Sequence, residues 1–407
     1  MSLNARPGPI ALLRGLTMKR RQPDLAALGA EQDPERFLWS ILPHAARSFA
    51  ASIVVLPAEE ARAAAVAYLY CRMLDTYEDL WPDPDTVDAE LRRFAERFQG
   101  PEPMPAPVPI PEAPARDDRE RVHLILIERC ALVDRVFATL PGDIRRRIAA
   151  LVGEMSEGMR WSCEVFSRQG GVLRDEAQLT RYCRNVIGHP AVFIVELVGR
   201  GEVPEQARED AYLASEMIQL ANVTRDIEAD LARGVAYHPA LEPYLGVVGE
   251  SGDSTQAVLE VRREYLRLAL SRVGSYRRLV QGLDLGSRAG VRIAAVLMIG
   301  FTDLHYRGCA SESGLAPWSG PRGRIGVVAR SLPALASPRW TARTLAAVER
   351  DFLAAARALE LQCPREEPTP RVAECPHPPQ SRPRPSHTAT DPPRPNLRPG
   401  RPPAVPT

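Results

Sequence analysis

Ala58-Glu-Glu-Ala-Arg-Ala-Ala-Ala-Val-Ala-Tyr-Leu-Tyr-Cys-Arg-Met-Leu-Asp-Thr-Tyr-Glu-Asp-Leu80 is patterned as one long helix. Its apolar residues recur at helical spacing, Ala, Arg and Leu dominate, and β-branched residues are few. Pro57 before it and Pro82 after it mark the ends. The same patterning predicts helices over residues 87–98, 120–140, 143–166, 176–200, 205–231, 256–281, 289–306 and 341–361. No segment sustains the period-two alternation of strands bounded by hairpin turns, so the fold is expected to be all-α.

Composition narrows the functional classes. The 407 residues are 45% hydrophobic and 25% charged, the balance of a soluble globular chain of one large or two medium domains. A net charge of +1 gives no argument for a nucleic-acid partner. The single lysine, Lys19, excludes a P-loop lysine and a core Schiff base. The seven cysteines show no C-x-x-C and no Cys/His metal spacing. That usage fits free thiols in a reducing cytosol, so a cytoplasmic location is expected. Arg14 interrupts the only apolar run near the N-terminus, which argues against a signal peptide. The run Ile293 to Phe301 is too short to span a bilayer.

The expected organisation is an N-terminal extension over 1–30, a helical domain over 31–362 and a tail over 363–407. Within the domain, residues 100–115 hold seven prolines and read as a surface connection. From Pro364 onward there are fifteen prolines and too little apolar surface to form a core, so the tail is expected to be disordered.

The long helix also ends in chemistry. Asp75, Glu78 and Asp79 form one acidic cluster; Asp226, Glu228 and Asp230 form another. Residues four apart share a helix face, so Asp75 stacks with Asp79, and Asn222 with Asp226 and Asp230. Like charges at that spacing destabilise a bare helix. One reading is a Mg²⁺ ion held between facing helices, with a phosphorylated substrate as the other ligand. The other is two solvated acidic faces paired with Arg72 or Arg225. The apolar flanks Ala63–Leu74 and Ala214–Val223 favour the first. Arg47, Arg72 and Arg225 suit bidentate phosphate contacts, or pairing within the helix.

These segments resemble the squalene/phytoene synthases. The resemblance rests on Ala46-Arg-Ser-Phe-Ala-Ala-Ser-Ile-Val-Val-Leu-Pro57 followed by Tyr68-Leu-Tyr-Cys-Arg-Met-Leu-Asp-Thr-Tyr-Glu-Asp79. It also rests on Gly158-Met159, Tyr182-Cys-Arg-Asn-Val-Ile-Gly188 and Gln219-Leu-Ala-Asn-Val-Thr-Arg-Asp-Ile-Glu-Ala-Asp230. Order and spacing agree over roughly residues 36–310, and the first acidic motif is nearer to squalene synthases. The resemblance implies a single-domain helical bundle around an apolar cavity that joins two prenyl diphosphates head to head. It implies that Asp75, Glu78, Asp79, Asp226 and Asp230 bind Mg²⁺-diphosphate. Arg47, Ser48, Arg72, Tyr68 and Arg225 then grip diphosphate oxygens, with Gln219 and Asn222 lining the same cavity. Tyr182 assists proton removal, and Phe49 faces a carbocation. The runs Ala191 to Val198 and Ile293 to Phe301 are candidate walls.

Two departures stand out. Gly188 is followed by His189-Pro190, where a proline kinks or restarts a helix. The reducing members use NADPH with late basic residues; with no lysine there, Arg307, Arg322 and Arg324 are the candidates. The expected activity is farnesyl diphosphate coupling to presqualene diphosphate and on to squalene. Alternatives are phytoene, dehydrosqualene or hydroxysqualene formation without NADPH. A class I terpene cyclase, loosely echoed by Asn222, Thr224 and Asp226, and a non-enzymatic relative complete the set. A monomer without a transmembrane segment, touching membranes at most peripherally to release product, is expected.

Overall fold

Helices follow the apolar spacing almost everywhere. The computed structural model describes residues 22–46, 48–100, 104–111, 117–201, 203–246, 252–283, 288–312 and 323–362. In chain order its helices are α1 (Leu25–Ala30), α2 (Pro34–Ala46), α3 (Ser48–Val54), α4 (Ala58–Leu80), α5 (Val87–Glu96), α6 (Asp118–Glu128), α7 (Cys130–Ala138) and α8 (Gly142–Arg168). They continue as α9 (Glu176–Cys183), α10 (His189–Gly199), α11 (Glu205–Ala232), α12 (Gly252–Leu270), α13 (Val273–Gly282), α14 (Ala289–Glu312), α15 (Gly323–Ser331) and α16 (Pro338–Gln362). No strand forms among the described residues; one isolated bridge pairs Val172 with Ala236. The fold is all-α, as the patterning predicts. The expected tail and residues 1–21 of the expected N-terminal extension lie outside the described residues.

Three predicted helices are interrupted, each for a tertiary reason. Residues 120–140 break at Arg129, which leaves helical geometry and donates to the Glu31 carbonyl. Residues 256–281 break at Ser271–Arg272. There the Ser271 hydroxyl bonds the Leu268 carbonyl at 2.7 Å, and Arg272 turns to Glu216 at 2.5 Å. Residues 176–200 contain a π-helical turn, Arg184–Gly188, after which α10 restarts with Pro190 in its first turn. Gly188 and His189 keep right-handed helical geometry and the His189 amide bonds the Arg184 carbonyl, so Pro190 falls where the helix changes type.

Two long helices carry the site, and each divides its faces the same way. On α4, Leu69, Tyr70, Met73 and Tyr77 are buried in the core. Tyr70 packs edge-on to Phe94, Phe98 and Phe137, and its hydroxyl donates to Asp134 at 2.8 Å. Each such ring contributes about 1.5–3 kcal/mol by burial. Tyr68, Arg72, Asp75 and Asp79 occupy the other face, at successive helical steps. On α11, Met217, Leu220, Thr224, Ile227 and Leu231 are buried, while Gln219, Asn222, Asp226 and Asp230 line the cavity.

The proline-rich connection is tied down over 104–111. Buried Arg97 donates to the Pro105 carbonyl at 2.6 Å, and Tyr77 donates to the Val108 carbonyl. Beyond α11 the chain turns at Gly234 and meets Gly171. The Ala236 amide donates to the Gly171 carbonyl at 2.8 Å, and the Leu173 amide donates to the Ala236 carbonyl at 3.0 Å. Gly171 has φ +86°, and a Cβ there would lie 2.1 Å from the Gly234 carbonyl oxygen. Only glycine allows this approach.

Candidate active site

A cavity of about 580 Å³ opens between α4, α10, α11 and α14. Twelve of the sequence-predicted site residues line it: Phe49, Tyr68, Arg72, Asp75, Glu78, Asp79, Tyr182, Gln219, Asn222, Arg225, Asp226 and Asp230. Arg47 and the Ser48 side chain lie outside the described residues. Glu228 does not join its cluster. Its side chain is 56% exposed and paired with Arg262 at 2.7 Å, because two helical residues on from Asp226 points to another face.

The two clusters face one another across a guanidinium. Arg233, three residues beyond Asp230, holds Asp79 at 2.5 Å and lies 3.9 Å from Asp230. Arg72 pairs with Asp75 at 3.0 Å and bonds the Tyr68 hydroxyl at 2.9 Å. Arg225 is paired with its neighbour Asp226 and donates to the Asn222 side chain at 3.1 Å; Asn222 in turn donates to Gln219 at 3.0 Å. The pairing of Arg72 and Arg225 therefore exists: the Arg72–Asp75 pair is largely buried in the cavity, and the Arg225–Asp226 pair lines it while remaining over a third exposed.

Burial and mutual repulsion make Asp75, Glu78 and Asp230 reluctant anions. Burial foremost, with the charge of Asp79 added, lifts Asp75 to about 6 against the pull of Arg72. Burial, then the charges of Asp226 and Asp79, lifts Asp230 to about 7, opposed by Arg233. Burial, Asp79 and Asp75 lift Glu78 well above the usual carboxylate range. Among the described residues no three Asp, Glu, His or Cys side chains converge on one cation position. Guanidinium groups fill the space between the carboxylates instead. The donor set itself suits Mg²⁺: hard carboxylate oxygens on facing helices, with Asp75, Glu78 and Asp230 raised by burial and neighbouring charge, a strain that a divalent cation relieves.

The remaining walls are aromatic and apolar. Phe49 lies 5.8 Å from the Tyr68 ring. Phe193, Ile194 and Val198 from α10 and Ala294, Ala295 and Met298 from α14 line the cavity, so both apolar runs reach it. Tyr182 meets Tyr237 hydroxyl to hydroxyl at 3.2 Å. Burial above all, and then each other's presence or the nearby carboxylates, pushes both phenols well above their ordinary range, so both keep their protons.

Among the lining residues that the sequence motifs do not mark are Arg119, Arg233 and Tyr237. Arg233 carries a helical-spacing signal, three residues after Asp230. Tyr237 is delivered by the Gly234 turn and the Val172–Ala236 bridge, and Arg119 by the start of α6; neither has a local pattern. Among the NADPH candidates, Arg324 lines the cavity, Arg307 is paired with Asp303 at 2.5 Å, and Arg322 lies outside the described residues.

The Gly158 motif has a packing cause. A Cβ there would meet Asn185 Cβ at 2.6 Å, and Asn185 donates to the Gly158 carbonyl at 3.2 Å. Gly158→Ala is expected to push the π-turn away from α8 and cost about 1–3 kcal/mol, read by thermal denaturation. An unchanged midpoint counts against this tight contact.

The paired acidic helices thus open on one apolar, aromatic-lined cavity in an all-α fold. The squalene/phytoene synthase family model matches residues 42–318, and the chain belongs to that family. The fold is similar to that of TcSQS bound to the ligand E5700, with a TM-score of 0.59 and 20% identity over 80% of this chain and 98% of that one. TcSQS bound to BPH1237 gives 0.57 and 19% over the same shares. No curated protein matches by sequence. No helix among the described residues is long and apolar enough to cross a membrane.

Proposed function

We propose that this chain couples two farnesyl diphosphates head to head to presqualene diphosphate and on to squalene, with Mg²⁺ and NADPH. The observation that supports this most is the pair of carboxylate clusters opening on one apolar cavity. Asp75, Glu78, Asp79, Asp226 and Asp230 hold the metal. When bound, Mg²⁺ neutralises charge that develops on the leaving diphosphate. Arg72, Arg225, Arg119 and Arg233 take diphosphate oxygens, joined by Arg47 and Ser48 on the family resemblance. The Phe49 and Tyr68 rings offer their negative faces to the allylic cation, and the apolar wall excludes water. Tyr182, which keeps its proton, acts as a neutral hydrogen-bonding group and can pass a proton along its contact with Tyr237 rather than serve as a phenolate base.

A second reading ends at dehydrosqualene, hydroxysqualene or phytoene without reduction. The pairing of Arg307 with Asp303 favours it, since that guanidinium is engaged in the fold. A cyclase is disfavoured, because Thr224 bonds the Leu220 carbonyl at 2.8 Å and His305 at 3.0 Å instead of facing the cavity. Both acidic clusters are intact, which disfavours a non-enzymatic relative.

Purified protein with farnesyl or geranylgeranyl diphosphate and Mg²⁺, with and without NADPH, separates these readings by gas chromatography–mass spectrometry. Squalene appearing only with NADPH is the expected result. A coupled product indifferent to NADPH selects the second reading, and cyclised monomers or no product overturn both.

A further inference from the structure

The described residues expose five large apolar side chains, and four of them fall between 325 and 340: Ile325 at 68%, Leu332 at 47%, Leu335 at 49% and Trp340 at 36%. The same stretch is basic. Residues 323–348 carry Arg324, Arg330, Arg339 and Arg343 and no Asp or Glu. The Trp340 indole donates to the Arg330 carbonyl at 3.0 Å, joining the start of α16 to the end of α15. The turn Leu332–Leu335 sits between them. From beneath, buried Arg292 donates to the Ala334 carbonyl at 2.9 Å and the Leu335 carbonyl at 2.7 Å. An apolar turn is thus anchored with its leucines outward, although burial would favour them. Arg324 lines the cavity, and its neighbour Ile325 is the most exposed of the set.

We propose that residues 323–343 dock on an anionic phospholipid bilayer beside the cavity rim. Exposed aliphatic side chains, an interfacial tryptophan and the exposed Arg339 and Arg343, in a stretch that carries no acid of its own, together match the acyl boundary and the negative headgroups. Charge decides against the other occupants. The tail 363–407 has seven arginines against four acids, a net +3, so its charge does not complement this face. A second copy would bring the same positive face to this one. Docking here sets the cavity rim against lipid, where an apolar product of the proposed reaction can leave without crossing water.

Vesicle binding tests the surface whether or not the cavity couples prenyl diphosphates. The full chain is floated with vesicles of equimolar phosphatidylglycerol and phosphatidylcholine, and with phosphatidylcholine alone. Binding to the anionic vesicles, weakened by salt, is expected. Each basic residue near such a surface is worth about fivefold in partitioning, so Arg339→Glu/Arg343→Glu is expected to lower binding at least roughly tenfold. Leu332→Ser/Leu335→Ser is expected to lower it by a similar factor, with circular dichroism reporting intact helices. The charge reversal, at exposed positions, keeps the test valid if the serine variant misfolds. Failure of the wild type to float, or folded variants that float equally, overturns the proposal. So does sedimentation showing that the substitutions only dissolve a dimer.

Discussion

Asp226→Ala is expected to lower turnover of farnesyl diphosphate by about 10³-fold or more while leaving helicity unchanged. That fall corresponds to about 4 kcal/mol of transition-state stabilisation. Asp226 lies on the cavity face of α11, and its charge raises Asp230, so it belongs to the mutually repelling set. Its side chain is 43% exposed and its partner Arg225 is 38% exposed, so losing the pair changes folding stability little. Large loss of turnover with small loss of stability separates a ligand from a structural residue. Steady-state pyrophosphate release and thermal denaturation on the same preparation provide both numbers. An Asp226→Ala enzyme with ordinary turnover would reduce the second cluster to an ion-paired face.

The largest expected stability effect is elsewhere. Glu216 is 1% exposed on α11 and is held by Arg184 at 2.7 Å and Arg272 at 2.5 Å. Glu216→Ala leaves two guanidinium groups without their buried partner, a loss of about 3–5 kcal/mol. For a chain of this length that lowers the melting midpoint by about 5 °C. Arg184 opens the π-turn that follows the Tyr182 helix, and Arg272 marks the break between α12 and α13. The same substitution is therefore expected to disturb Tyr182 and weaken turnover. Glu216→Gln keeps the volume and part of the hydrogen bonding, so its midpoint is expected between the two. A midpoint within a degree of wild type for Glu216→Ala would mean that solvent compensates both arginines.

Much of this molecule is legible along the chain because its information is local. Helical spacing of alanine, leucine and arginine marks the long helices, and steps of three and four place Arg72, Asp75 and Asp79 on one face and Asn222, Asp226 and Asp230 on another. Spacing and clustered charge account for eight of the residues that share the cavity, while Phe49, Tyr68, Tyr182 and Gln219 follow only from the family resemblance. Glu228 falls outside because closeness in sequence is not closeness on a helix. The breaks at Arg129 and Arg272 are invisible in the patterning, since each depends on a partner far along the chain: the Glu31 carbonyl in one case, Glu216 in the other. Tyr237 and Arg119 reach the cavity through tertiary turns and carry no motif. Spacing can also place a residue without revealing what it does. Arg233 lies at the right step after Asp230, yet only the fold shows it bridging to Asp79.

The glycines and the proline of the tyrosine motif become understandable in the same way. Gly158 leaves room for Asn185, and Pro190 restarts a helix that the π-turn has already interrupted. The departure at Gly188-His189-Pro190 is thus accommodated by a local change of helix type, and the α10 wall beyond it still lines the cavity.

We propose that the facing acidic clusters activate an allylic diphosphate with Mg²⁺. The most direct measurement is pyrophosphate release from farnesyl diphosphate by the wild-type chain, titrated with Mg²⁺ and then with excess chelator. Release that rises with Mg²⁺, vanishes with chelator and is lost in Asp75→Ala is the predicted result; release indifferent to Mg²⁺ and chelator, or none at any Mg²⁺ concentration, would contradict it.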